Sequence, residues 1–232
     1  MACFEANSDD VAICLTGGSG PTRLFTLLGS PPYSTKIPWH RVHWFMGDDR
    51  FVPPDDPLSN MGAARRAFLD TYAPQDHVHA IPTNLPDPQV AANAYQATLA
   101  AFYGSSVLEV ARPLFDLVLM GIGPDGHTAS LFPGFPEIEI NDRWTAGVPL
   151  ANVAPFVPRV TLTLPALSSC HEMLFLLGGE SKRDVVRRAL RDPNLPAVRA
   201  RSQNRTVWLL DAAATPEEIM SDAPIAAEGG ST

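Results

Sequence analysis

The chain has 232 residues, 45% hydrophobic and 18% charged, with 25 Asp and Glu against 17 Lys and Arg for a formal net charge of −8. Such a composition describes a globular chain rather than a disordered or fibrous one, and the length can bury a substantial core in one domain. The acidic balance argues against a broad nucleic-acid footprint. No apolar run approaches the roughly 18 residues that span a bilayer, and the first ten residues lack the basic start and apolar core of a signal peptide.

In chain order, strands are expected over residues 11–15, 42–46, 115–120, 160–164, 173–177 and 207–210, because each is a short apolar run bounded by turn residues. Helices are expected over 21–28, 60–69, 89–103, 182–190 and, briefly, 216–220. Near-continuous apolar strands separated by helices predict an α/β fold, with a mostly parallel sheet covered by helices on both faces in a Rossmann-like, doubly wound architecture. One domain over residues 1–232 is expected, with 1–10 and 221–232 as its frayed ends. Cys3, Cys14 and Cys170 are odd in number and follow no motif spacing, so neither a disulfide framework nor a CxxC site is predicted; Cys14, inside an apolar run, reads as core. A cytoplasmic location is the default, with no nucleic-acid or membrane partner.

Four of the six strands run into glycine and polar residues: residues 11–15 into "TGGSGPTR", 42–46 into "GDDR", 115–120 into "GIGPDGHT" and 173–177 into "GGESK". If those strands are parallel, their carboxyl ends share one edge of the sheet, where open α/β sheets bind ligands. The edge would gather Ser19, Arg23, Asp48, Asp49, Arg50, Asp125, His127 and Lys182. In the first loop, Gly17, Gly18 and Ser19 precede a helix that starts near Pro21. The free N–H groups of that helix start, with Arg23, make a phosphate seat. The loop fits neither the Walker pattern nor GxGxxG, which disfavours nucleotide binding. Lys182 is one of just two lysines and follows a glycine turn at a helix start, which strengthens the phosphate reading.

His127 stands apart from the other histidines. His40, His43, His77, His79 and His171 read as structural or surface residues, whereas His127 has small neighbours that leave room around the imidazole, and Asp125 lies close enough to orient it. No second histidine sits at metal-ligand spacing around it.

The segment "GIGPDGHTASLFPG" resembles the signature of 6-phosphogluconolactonases, relatives of the glucosamine-6-phosphate deaminases. Four further stretches are similar to family motifs in the same order: "LTGGSGPTRL" to the SGGSTP loop, "GDDRFVPPDDPLSN" to the GDER…SN segment, "RVTLTLPAL" to the RiTLTlP strand and "GGESK" to the G-x-x-K turn. Thr16 and Gly20 depart from the usual serine and threonine, Asp49 stands where glutamate is usual, and the usual helix before the first strand has no room here. The resemblance implies hydrolysis of 6-phospho-D-glucono-1,5-lactone, a small phosphorylated sugar lactone. It implies that His127 deprotonates water and returns the proton to the ring oxygen, that Arg50 stabilises or orients the reacting carbonyl, and that the Gly17–Gly18–Ser19 backbone, Arg23, Arg159 and Lys182 hold the phosphate. No metal or organic cofactor is called for. A monomer and a homodimer both stay open. The deaminase relatives carry a glutamate shortly after the histidine, in a motif resembling DGHIAFNEP, where this chain reads "SLFPG". A deaminase-like isomerase and a non-catalytic sugar-phosphate regulator are the alternatives.

Overall fold

The computed structural model describes residues 10–18, 20–151 and 153–220. Ser19 and nearly all of the two expected frayed ends lie outside the described residues. Five strands, β1 (Val11–Leu15), β2 (Val42–Met46), β4 (Phe115–Met120), β7 (Cys170–Leu177) and β8 (Arg205–Leu210), form a parallel sheet in the order β2-β1-β4-β7-β8. Both faces are covered: β1 has four of its five residues buried, and the largest fully buried side chains include Trp44, Phe45, Phe115 and Phe175. Burial on both faces is what a parallel sheet requires of its strands, and it explains why they read as unbroken apolar runs. Cys14 is fully buried, as its apolar run predicts.

The sheet order fixes where a ligand belongs. Counting only the parallel strands, the order reverses between β1 and β4, and a crevice opens outside the carboxyl ends of strands at such a switch point. The predicted gathering of strand ends is observed, since β1, β2, β4 and β7 run in one direction.

One expected strand belongs elsewhere. The run at 160–164 forms β6 (Arg159–Leu162), which lies at the centre of a second sheet, antiparallel to β3 (Asp48–Arg50) and β5 (Thr145–Val148). All four β6 residues are buried, so it imitates a parallel-sheet strand in sequence. Residue 164 is excluded because Pro165 occupies the first turn of the next helix, α4 (Leu164–Ser168), where its missing N–H costs nothing. Neither β3 nor β5 was expected; "DDR" and "TAGV" are too short and too polar or small to read as strands. The chain passes from β2 to β3 through Gly47 alone. Its N–H donates to the Leu15 carbonyl of the large sheet at 2.9 Å, and its carbonyl accepts from Leu162 N of the small one at 2.8 Å.

The helices start and stop for local reasons. Helix α1 (Thr22–Leu28) follows Pro21, and α3 (Pro88–Tyr103) is capped by Asp87, whose carboxylate accepts from Gln89 N and Val90 N, and ends at Gly104 in the left-handed conformation. Helix α2 (Asn60–Ala64) continues through a π turn (Arg65–Leu69) into Asp70–Tyr72, three residues beyond expectation. Helix α5 (Arg183–Ala189) begins one residue after Lys182, which forms its cap; α6 (Pro196–Arg199) and α7 (Glu217–Met220) complete the chain order. Among the described residues, no helix is long and apolar enough to cross a membrane.

Candidate active site

A cleft of ≈ 200 Å³ opens at the switch point, lined among others by Gly17, Gly18, Asp48, Arg50, His127, Arg159 and Lys182. A larger groove of ≈ 490 Å³ lies between α5, α6 and β8, but it holds no acid–base pair. His127, Asp48, Arg50, Arg159 and Lys182 line the smaller cleft.

The loop after β4 builds an acid–base pair. Asp125 Oδ1 lies 2.5 Å from His127 Nδ1 and also accepts from the His127 backbone N–H at 3.1 Å. The local fold forces this contact. Gly126 adopts φ +94°, a conformation that favours glycine, and its N–H donates to the Gly123 carbonyl at 3.0 Å, turning Asp125 back toward His127. Gly123 then leaves the imidazole room, because a β-carbon there would sit 1.9 Å from His127 Cε1. The Phe132 ring closes another side, 4.8 Å from the imidazole between centroids. Burial works to raise the Asp125 carboxyl, but the hydrogen bonds and charge of His127 outweigh it and hold the group below the usual carboxylate range. A carboxylate that occupies Nδ1 leaves Nε2 as the nitrogen able to exchange a proton with a ligand.

The small sheet supplies positive charge. Arg50 on β3 and Arg159 on β6 are register partners across the antiparallel ladder. Arg50 donates from Nη1 to the Leu58 carbonyl at 2.9 Å and Arg159 from Nη2 to the Pro155 carbonyl at 3.0 Å. Both Nε atoms are buried without a hydrogen-bond partner among the described residues. Arg159 is just 2% exposed. Burial first, and the neighbouring Arg50 charge, depress its pKa against the opposing pull of Asp48 and Asp49. A guanidinium so placed costs several kcal/mol to desolvate unless an anion compensates it. Lys182, half-buried and lowered in pKa by that burial, donates from Nζ to the Ile122 carbonyl at 2.7 Å on the opposite wall.

Two acidic neighbours divide the remaining work. Asp48 accepts from Ser130 Oγ at 2.6 Å and lines the cleft. Asp49 turns away and receives Asn60 N (2.6 Å), Met61 N (3.0 Å), Arg50 N (2.8 Å) and Ser59 Oγ (3.2 Å), so it serves as a second cap of α2. Burial raises its pKa to about 6, against the lowering effect of those backbone donors. Asn60 in turn donates from Nδ2 to the Asp48 carbonyl at 2.9 Å, and its amide fills the space beside Gly17, where a β-carbon would come within 2.0 Å of Oδ1.

A family model described as glucosamine-6-phosphate isomerases/6-phosphogluconolactonase matches residues 2–208. The chain belongs to this family. Among its relatives, a 6-phosphogluconolactonase of Nostoc sp. is 37% identical over 211 residues, covering 88% of this chain and 83% of the relative. That of Streptomyces coelicolor is 38% identical over 221 residues, covering 90% and 83%. The crystal structure of 6-phosphogluconolactonase from Thermotoga maritima superposes with a TM-score of 0.78 at 31% identity, covering 90% of this chain and 89% of that one.

In this member of the glucosamine-6-phosphate isomerase/6-phosphogluconolactonase family, the cleft brings together Gly17, Gly18, Asp48, Arg50, His127, Arg159 and Lys182, with Asp125 directly behind His127. It does not include Arg23, which is exposed on α1. Ser19 lies outside the described residues. Asn60 lines the cleft without having been singled out, since it read only as the first residue of the helix expected over 60–69. Its signal was the "SN" that ends the "GDDR…SN" stretch.

Proposed function

We propose that this protein hydrolyses 6-phospho-D-glucono-1,5-lactone to 6-phospho-D-gluconate, the lactone-opening step of the oxidative pentose phosphate pathway. The observation that carries the reading is one cleft holding an Asp125–His127 pair beside Arg50, Arg159, Lys182 and an open glycine turn. Its named relatives agree in kind.

In this reading, the Asp125 carboxylate accepts a hydrogen bond from His127 Nδ1–H and steadies the imidazolium that forms when Nε2 takes a proton from water as the water oxygen attacks C1. The C1 carbonyl becomes a tetrahedral oxyanion, whose charge Arg50 stabilises. As the bond from C1 to the ring oxygen breaks, His127 returns the proton to that oxygen, which leaves as the C5 hydroxyl. Arg159, Lys182 and the Gly17–Gly18 backbone hold the phosphate, so binding energy far from C1 fixes the lactone against the base.

Isomerisation of an amino-sugar phosphate is the second reading, because Asp48 puts a buried carboxylate in the cleft. Against it, residues 128–134 supply no carboxylate after the histidine.

The test is hydrolysis of freshly generated lactone, corrected for spontaneous opening, by the parent and by His127→Ala, with glucosamine 6-phosphate as a parallel substrate. Lactone turnover that collapses at least about 100-fold in a folded His127→Ala protein supports the proposal. Turnover of the amino sugar alone favours the isomerase, and binding without turnover of either favours a regulator.

A further inference from the structure

The acid–base loop is gripped from outside the cleft. Three consecutive carbonyls, those of Pro124, Asp125 and Gly126, accept donors from the α5–α6 region: Arg188 Nη1 at 3.1 Å, Arg188 Nη2 at 3.3 Å and Ala197 N at 3.2 Å. Arg188 sits in the last turn of α5, on a different element from His127, and its planar fork spans two adjacent peptide groups, a geometry that a lysine cannot match.

We propose that Arg188 is a positioning residue for His127, acting through the peptide planes on either side of Asp125. The Asp125 carboxylate makes hydrogen bonds only through Oδ1, and both go to His127; its Oδ2 is buried and has no partner among the described residues. Among the described residues no hydrogen bond from outside the pair sets its aim, which leaves the backbone to do so. That backbone is closed into a turn by Gly123 N, which donates to the His127 carbonyl at 2.8 Å, and is backed on the outer side by Leu195, whose side chain lies where a Gly126 β-carbon would be. With Gly126 still held by Ala197 N and backed by Leu195, freeing the Pro124 and Asp125 carbonyls lets the two peptide planes around Asp125 rotate. That motion separates Asp125 from Nδ1 and swings Nε2 away from the attacking water.

The kinetic part of this inference rests on the lactonase reading; the geometric part does not. The experiment compares Arg188→Ala, Arg188→Lys and a control, Arg187→Ala, whose arginine pairs with Asp184 and Glu218 on the same face of the protein without touching the loop. Three quantities are read: kcat and KM for the lactone, the 15N shifts of the His127 ring nitrogens, and Tm. The expected result for Arg188→Ala is a kcat about tenfold lower with KM unchanged, displaced His127 ring shifts, and a Tm equal to that of Arg187→Ala. Arg188→Lys should recover part of the loss by serving one carbonyl. Ring shifts and kcat in both Arg188 variants matching those of Arg187→Ala would overturn the proposal, as would a KM rise that accounts for the whole loss. If the parent itself fails to open the lactone, the functional reading falls while the ring shifts still decide the role of Arg188.

Discussion

Arg50 and Arg159 stand opposite each other across β3 and β6, two like charges in register, each with a buried Nε that has no acceptor among the described residues. Desolvation and their mutual repulsion oppose folding, partly offset at Arg159 by Asp48 and Asp49, and under the proposed function a bound phosphate relieves both. Arg159→Met is therefore expected to raise Tm in the absence of ligand while raising KM about tenfold or more, a trade between stability and function. Thermal unfolding with and without 6-phosphogluconate checks this. A variant less stable than the parent in both conditions would contradict it.

Lys182 is expected to contribute binding common to the ground and transition states. Lys182→Ala should raise KM by about ten- to a hundredfold, the range of a charge-assisted hydrogen bond, and lower kcat by much less. Steady-state kinetics decide; a loss confined to kcat would argue that its bond to the Ile122 carbonyl matters more than phosphate.

Gly123 tests the tightness of the acid–base site. A β-carbon 1.9 Å from His127 Cε1 must displace the imidazole, and misplacement by about 1 Å costs on the order of 100-fold. Gly123→Ala is expected to keep far-UV circular dichroism intact and to lose about two orders of magnitude in kcat. An unimpaired enzyme would mean that the ring has room the packing denies it.

A histidine stack gives the fold an acid sensitivity. His43, His77 and His79 lie together at the amino end of β2, with His43 Nδ1 2.9 Å from His79 Nε2 and His79 stacked on Phe45. Burial first, then the neighbouring histidines, lower His43 and take His79 from 6.5 to about 4, against the opposing pull of Asp76 on both and of Asp10 on His43. A histidine whose folded pKa is depressed contributes stability that is present above pH 6.5 and is lost as pH falls toward 4. Asp49 works in the reverse sense, because its folded pKa of about 6 exceeds its unfolded value of 3.8, so its contribution declines as pH rises through that window. The two partly cancel in the parent. His79→Phe, which keeps a ring on Phe45, should remove one of them and make stability fall less between pH 6.5 and 4. Denaturant unfolding across that range reads the difference.

Much of the site was legible because its residues follow parallel strands, whose apolar runs end abruptly in glycine and charge. The loops after β1, β2, β4 and β7 announced themselves that way, and spacing put Asp125 near His127, but the choice among Asp48, Asp49 and Asp125 as its partner needed the distances of the fold. The second sheet was hidden, since β3 is three residues of charge and β6, buried on every side chain, looks like one more parallel strand. Arg159 thus came from family likeness and not from any pattern. Arg23 is exposed on α1 and lies outside the cleft lining, although Gly20 and Pro21 just before it belong to that lining. Asn60 and Arg188 act on backbone groups contributed by distant segments, which no local pattern records.

Gly47 joins the two sheets through a single residue, hydrogen-bonded to both. The imidazole thereby hangs from the loop after a strand of the large sheet, and the two guanidinium groups from strands of the small one. Under the proposed function, substitutions around Arg159 on β6 can alter the grip on the phosphorylated end while sparing both Arg50 and the loop that activates water. A lineage can thus explore new phosphorylated sugars without first surrendering its chemistry.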